Sequence, residues 1–102
     1  MIDLNSIAKE TYETAVRRNK IVPTDNKKEM HEECHCAILG ELIEFAMASE
    51  RRESLHIKGY TEAEEEMIDI LITCLTGLRR RGTDVERLLL DKIEFNKIRD
   101  AK

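Results

Sequence analysis

Two pairs of carboxylates stand where a helix would turn its apolar side inward. Glu41 and Glu44 are three residues apart and so share one helical face. Apart from each other, their neighbours on that face are Ala37, Ile38, Gly40, Phe45, Met47 and Ala48, with no Lys or Arg among them. Burying such carboxylates uncompensated is costly, or forces protonation, and a divalent cation resolves the conflict. Glu66 and Asp69 repeat the spacing just before the apolar run Ile70, Leu71, Ile72 and Leu75. If the two helices pack antiparallel, both pairs converge on one point, a known way to build a metal site between helices. Four hard oxygen donors without a histidine suit Mg²⁺ or Mn²⁺, with positions left for water and substrate phosphates.

Spacing alone leaves a chance surface pattern equally open. Acidic residues three apart also occur at Glu10/Glu13, Glu29/Glu32, Glu50/Glu53, Glu62/Glu65 and Asp91/Glu94. In so charged a chain most of these are solvated surface, and an acidic first turn also suits a helix N-terminus. Other constellations read as ordinary structure. His31, Cys34 and His35 share a helical face, but Cys36 points away and no second ligand pair has zinc spacing. Glu32 and His35 give a single Glu-x-x-His, where a di-iron bundle uses two. Arg79, Arg80 and Arg81 fit the cationic last turn of a helix, and Met30, Met47 and Met67 fit as core or interface filler.

Four helices are expected to position these residues. Apolar spacing through Leu4, Ile7, Ala8, Ala15 and Val16 predicts a first helix of about 16 residues. Residues 21–26 form a connector around Pro23. A second helix is predicted over Lys27 to Glu50, followed by a loop over Arg51 to Tyr60. Thr61 and Glu64 match a capping box that opens a third helix reaching Arg81, which Gly82 closes in the left-handed conformation. Thr83 and Glu86 match a second box opening a fourth helix that reaches Arg99. Four helices with short connections predict an all-α, four-helix bundle-like single domain over residues 1–102.

The composition agrees. Of 102 residues, 41% are hydrophobic and 37% charged, with four Gly, one Pro and no Trp, which favours helices over a sandwich or barrel. One domain of this size buries a modest core, so a homodimer or homotetramer sharing apolar faces is expected. A net charge of −4 without a basic stripe argues against a nucleic-acid polymer as partner. No apolar run approaches a membrane span, no signal peptide opens the chain, and three unpaired cysteines argue against a disulfide framework. A reduced, cytoplasmic protein is the expectation.

Three segments carry a family likeness: residues 40–46 (GELIEFA), 65–71 (EEMIDIL) and 92–99 (KIEFNKIR). In that order, with the Gly82-Thr83-Asp84 turn between the last two, they resemble the MazG-like branch of the all-α nucleoside triphosphate pyrophosphatases. That superfamily also holds dimeric dUTPases and dCTP pyrophosphatases. The resemblance implies Mg²⁺-dependent hydrolysis of a (deoxy)nucleoside triphosphate to the monophosphate and pyrophosphate, as housecleaning of the nucleotide pool. It implies Glu41, Glu44, Glu66 and Asp69 as metal ligands, with Glu41 taking the proton of the attacking water. It implies Lys92, Asn96 and Arg99 as contacts to phosphate or sugar, and a site assembled within packed helices of a dimer or tetramer. The first helix and the loop 51–60, where the family varies, leave the base open. A catalytically silent helical module of the same fold is the competing expectation.

Overall fold

The computed structural model describes residues 2–99, and its order is α1 (Leu4–Arg17), α2 (Lys27–Met47), α3 (Glu62–Arg80) and α4 (Val85–Arg99). Among the described residues the only extended pairing is an isolated antiparallel bridge between Glu53 and Thr61, so the protein is all-α with four helices. None of these helices is long and apolar enough to cross a membrane. Contacts divide the chain into two compact units. One holds the chain through Val22 and again from Leu75 onward; the other holds residues 23–74.

In the first unit α1 packs on α4. Ala8, Leu75 and Val85 are buried at the centre, with Leu4, Ile7 and Leu78 packed around them. The helix α1 covers 14 residues, slightly fewer than the apolar spacing suggests. It stops because Asn19 adopts a left-handed φ of 57° and the Lys20 N–H turns back to the Ala15 carbonyl at 2.9 Å. The Gly82 turn closes α3 as expected, with φ 76° and the Thr83 N–H on the Leu78 carbonyl at 3.1 Å.

The start of α4 differs from the expected Thr83–Glu86 box. Asp84 is the cap, accepting from the Arg87 N–H at 3.2 Å. Asn5 of α1 supplies the second acceptor, taking the Val85 N–H at 2.8 Å and the Glu86 N–H at 3.2 Å. Its amide group in turn donates to Asp84 at 2.9 Å. These bonds hold the Asp84 carboxyl below the usual range, the bond from Asn5 most of all. A side chain distant in sequence has thus replaced the local partner that the capping box needs.

In the second unit α2 opens on Asn26, which accepts from the Lys28 and Glu29 N–H groups at 3.0 and 3.1 Å. The helix ends at Met47, three residues before the predicted Glu50. There Ser49 takes over the local bonding: its hydroxyl accepts from the Arg51 and Arg52 N–H groups, and its carbonyl accepts from Ala63 at 3.1 Å. The Thr61 box forms as expected, with Thr61 N–H on Glu64 at 2.9 Å and Glu64 N–H on Thr61 Oγ1 at 3.1 Å. Cys34 neighbours Cys74, Glu41 meets Glu66 and Asp69, and Ser49 meets Ala63. Contacts that run backward along α3 as they run forward along α2 make the two helices antiparallel.

Candidate metal centre

The centre of the second unit is a meeting of carboxylates. Glu41 of α2 and Glu66 and Asp69 of α3 each bring one oxygen to within 4.8 Å of the others. Opposite ligands across an octahedral Mg²⁺ stand roughly 4.2 Å apart, twice the usual Mg–O distance, so a separation within 4.8 Å is compatible with a shared cation. One oxygen of Glu41 and one of Glu66 are buried without a hydrogen-bond partner. Buried oxygens of charged groups are ordinarily satisfied, so these two are exceptions within the acidic group.

Electrostatics agree with that geometry. Burial pushes the Glu41 carboxyl above its usual range, and the neighbouring charges of Glu44, Asp69 and Glu66 add to the shift. Burial also raises Glu66, followed by the charges of Asp69, Glu44 and Glu65. Glu44 is the outer member. It is exposed and stands outside the tight trio, yet its charge acts on both Glu41 and Glu66. The α2 face expected to turn toward the core is only partly covered, with Ile38, Glu41, Phe45 and Ala48 half-buried and Ala37, Gly40 and Met47 exposed.

Not every acid near this point belongs to it. Glu62 and Glu65, one turn ahead on α3, fasten the loop 48–61. Glu62 accepts from the Ser49 N–H at 3.1 Å and pairs with Arg52 at 3.5 Å. Glu65 accepts the hydroxyl proton of Ser54 and binds His56 Nδ1 at 3.0 Å. Ser54 is buried, and its oxygen accepts from the His56 and Ile57 N–H groups at 3.0 Å each. The bonds from Ser54 and then His56 hold the Glu65 carboxyl below the usual range, opposite to its neighbour Glu66.

This loop assembly was not legible as a site in the sequence. Residues 51–60 show no period, and the only local signal was an acid at 65 aligned with 62. Lys92, Asn96 and Arg99 lie on α4, in the other unit. The Lys92 ammonium sits 4.6 Å from the Phe95 ring centroid, and Asn96 buries its Oδ1 without a hydrogen-bond partner. Arg99 is exposed on the last turn. Cys34, Cys36 and Cys74 are free thiols, and burial raises Cys74. His31 and His35 stack at 6.4 Å between ring centroids but join no cluster of three potential ligands among the described residues. No protein-family model, curated protein or solved structure matches the chain.

Proposed function

We propose that the protein is a Mg²⁺-dependent nucleoside triphosphate pyrophosphohydrolase of the MazG-like type, active on a (deoxy)nucleoside triphosphate and trimming the nucleotide pool. The observation that carries this reading is the convergence of Glu41, Glu66 and Asp69 with two buried, unpartnered oxygens. The order of the motifs on α2, α3 and α4 supports it independently.

Glu41, Glu66 and Asp69 would hold Mg²⁺, or Mn²⁺ in its place, with Glu44 as the outer ligand. The cation supplies neutralisation of phosphate charge and acidification of water. Water adds to the α-phosphorus, the bond from that phosphorus to the α,β-bridging oxygen breaks, and pyrophosphate leaves. Glu41 takes the water proton, a role assigned to it by the motif likeness. Lys92, Asn96 and Arg99 contact phosphate or sugar on the strength of the motif likeness. A homodimer or homotetramer would cover the apolar side chains that α2, α3 and α4 expose, among them Leu42, Ile43, Ile68, Leu71 and Phe95.

Those same exposed residues favour a second reading, a catalytically silent helical module whose function is self-assembly. Pyrophosphate release in Mg²⁺, lost with chelator and in Glu41→Gln, separates the two. Assembly without release in a well-folded protein supports the second.

A further inference from the structure

A cleft of about 360 Å³ opens beside the carboxylate centre, within the size range of sites for small ligands. It shares Glu44 and Glu66 with that centre and continues past Met47, Leu55 and His56. We propose that this cleft is the nucleoside subsite, and that His56 reads the base edge by accepting a hydrogen bond from a base N–H. The inference rests on the pyrophosphohydrolase reading and names the part of the substrate that the loop recognises.

Charge decides which part of a nucleotide lies here. Glu44, Glu62, Glu65 and Glu66 all line the cleft, so a phosphate placed away from the cation would face four carboxylates. The uncharged nucleoside meets no such repulsion, while its phosphates reach the cation beside Glu66. Met47 and Leu55 also line the cleft, and they are 82% and 90% exposed. Large apolar side chains held open to water in this way offer cover for a flat ring.

The histidine is held for a purpose other than stability. Its side chain is 77% exposed, where a single polar contact adds little to the fold. Yet Glu65 fixes its Nδ1 at 3.0 Å while its other oxygen grips Ser54, whose hydroxyl oxygen takes the His56 and Ile57 N–H groups. Ring and loop are therefore set by one carboxylate, as a preorganised recognition group requires. A carboxylate only accepts, so Nδ1 carries the proton, and in the neutral ring Nε2 presents its lone pair. With Nε2 and the carboxylates as acceptors, the cleft favours bases bearing an amino group (adenine, cytosine, guanine). Thymine and uracil offer a single N–H between two carbonyl oxygens, so beside several acceptors they gain less than a base with an amino group.

The test measures binding of Mg²⁺ and the α,β-imido deoxynucleoside triphosphates of adenine, cytosine, guanine and thymine, alongside hydrolysis of the natural counterparts. Wild type should bind an amino-bearing base most tightly. His56→Ala should weaken that analogue about tenfold, the worth of one well-placed hydrogen bond, and flatten the ranking, with binding of Mg²⁺ alone unchanged. Glu65→Ala removes the acceptor for Nδ1–H and frees the ring to turn, so the base ranking should flatten as it does in His56→Ala.

Base-selective binding that His56→Ala flattens, without hydrolysis by wild type, upholds the subsite and sinks the enzymatic reading. Hydrolysis whose base ranking ignores His56→Ala sinks the subsite and leaves the reaction standing. Absence of analogue binding, a wild-type preference for thymine, or a Glu65→Ala ranking identical to wild type also overturns the proposal.

Discussion

Glu41 and Glu66 come from different helices, bring carboxylate oxygens within 4.8 Å, and each bury an oxygen that no hydrogen bond satisfies. Two like charges so placed repel, and burial adds to the cost of keeping them ionised, which is why both carboxyls are pushed up. The fold tolerates this strain in the metal-free chain, and a bound cation would turn it into affinity.

Replacing Glu41 by Gln should therefore separate stability from function. Removing one of the mutually repelling charges should stabilise the metal-free protein by about 1 kcal/mol, which for a chain of this size raises Tm by roughly 4–8 °C. The same change should lower turnover by about 10² or more, the usual worth of a general base. Thermal melts in chelator and a turnover assay on one preparation read both effects.

The raised carboxyls also set a pH dependence. A group whose folded pKa lies above its unfolded value stabilises the fold at low pH, and that contribution is lost as pH rises through the folded pKa. Acidifying the metal-free protein from neutrality should therefore raise Tm as Glu41 and Glu66 take up protons. Glu65 and Asp84 work in the opposite sense, because their folded values are lowered and their contribution disappears only at stronger acid. Metal-free Tm should pass through a maximum on the acid side of neutrality. In Mg²⁺ that gain should vanish, since protons compete with the cation for the same oxygens. Melts across pH, in chelator and in Mg²⁺, check the sign.

Glu62 should behave as a structural acid. Glu62→Ala leaves the Ser49 N–H without its acceptor and removes the partner of Arg52. A cost of about 1 kcal/mol is expected, as for a lost helix cap, with Mg²⁺ binding little changed. Isothermal titration with Mg²⁺ and a chemical denaturation curve distinguish this from the loss of affinity expected of Glu66→Gln.

The exposed apolar residues should drive association. Ile43 is 62% exposed and Ile68 53%, both within the unit that carries the carboxylates. Sedimentation should find a dimer or tetramer, and Ile43→Glu should shift it toward monomer with helical content retained. A wild-type monomer at micromolar concentration would contradict this.

Much of the architecture was readable because local chemistry specifies it. The Thr61 box and the Gly82 turn formed as the residues dictate, since each is satisfied within a few positions. Where a distant partner competes, the sequence was silent: Asn5 displaced the Thr83 hydroxyl as acceptor of the Glu86 N–H at the start of α4, and Ser49 ended α2 early. Glu41 was conspicuous because of its apolar neighbours, and Glu66 and Asp69 followed from the repeated spacing despite Glu62 and Glu65 one turn before them, while Glu44, expected with them, stands outside the trio. His56 and Ser54 were not, because nothing in an aperiodic loop reveals that Glu65 will reach back to hold them. Neighbouring acids at 65 and 66 have opposite surroundings, one held low by hydrogen bonds and the other pushed up by burial and like charges, and only the turn of the helix between them separates the two.

The most direct measurement is ³¹P NMR of a panel of nucleoside triphosphates incubated with the protein in Mg²⁺ and in chelator. Resonances of nucleoside monophosphate and pyrophosphate, growing together only with Mg²⁺ and absent in Glu41→Gln, are the predicted result. A folded protein that leaves the panel intact in Mg²⁺, or yields nucleoside diphosphate and orthophosphate, would contradict the account.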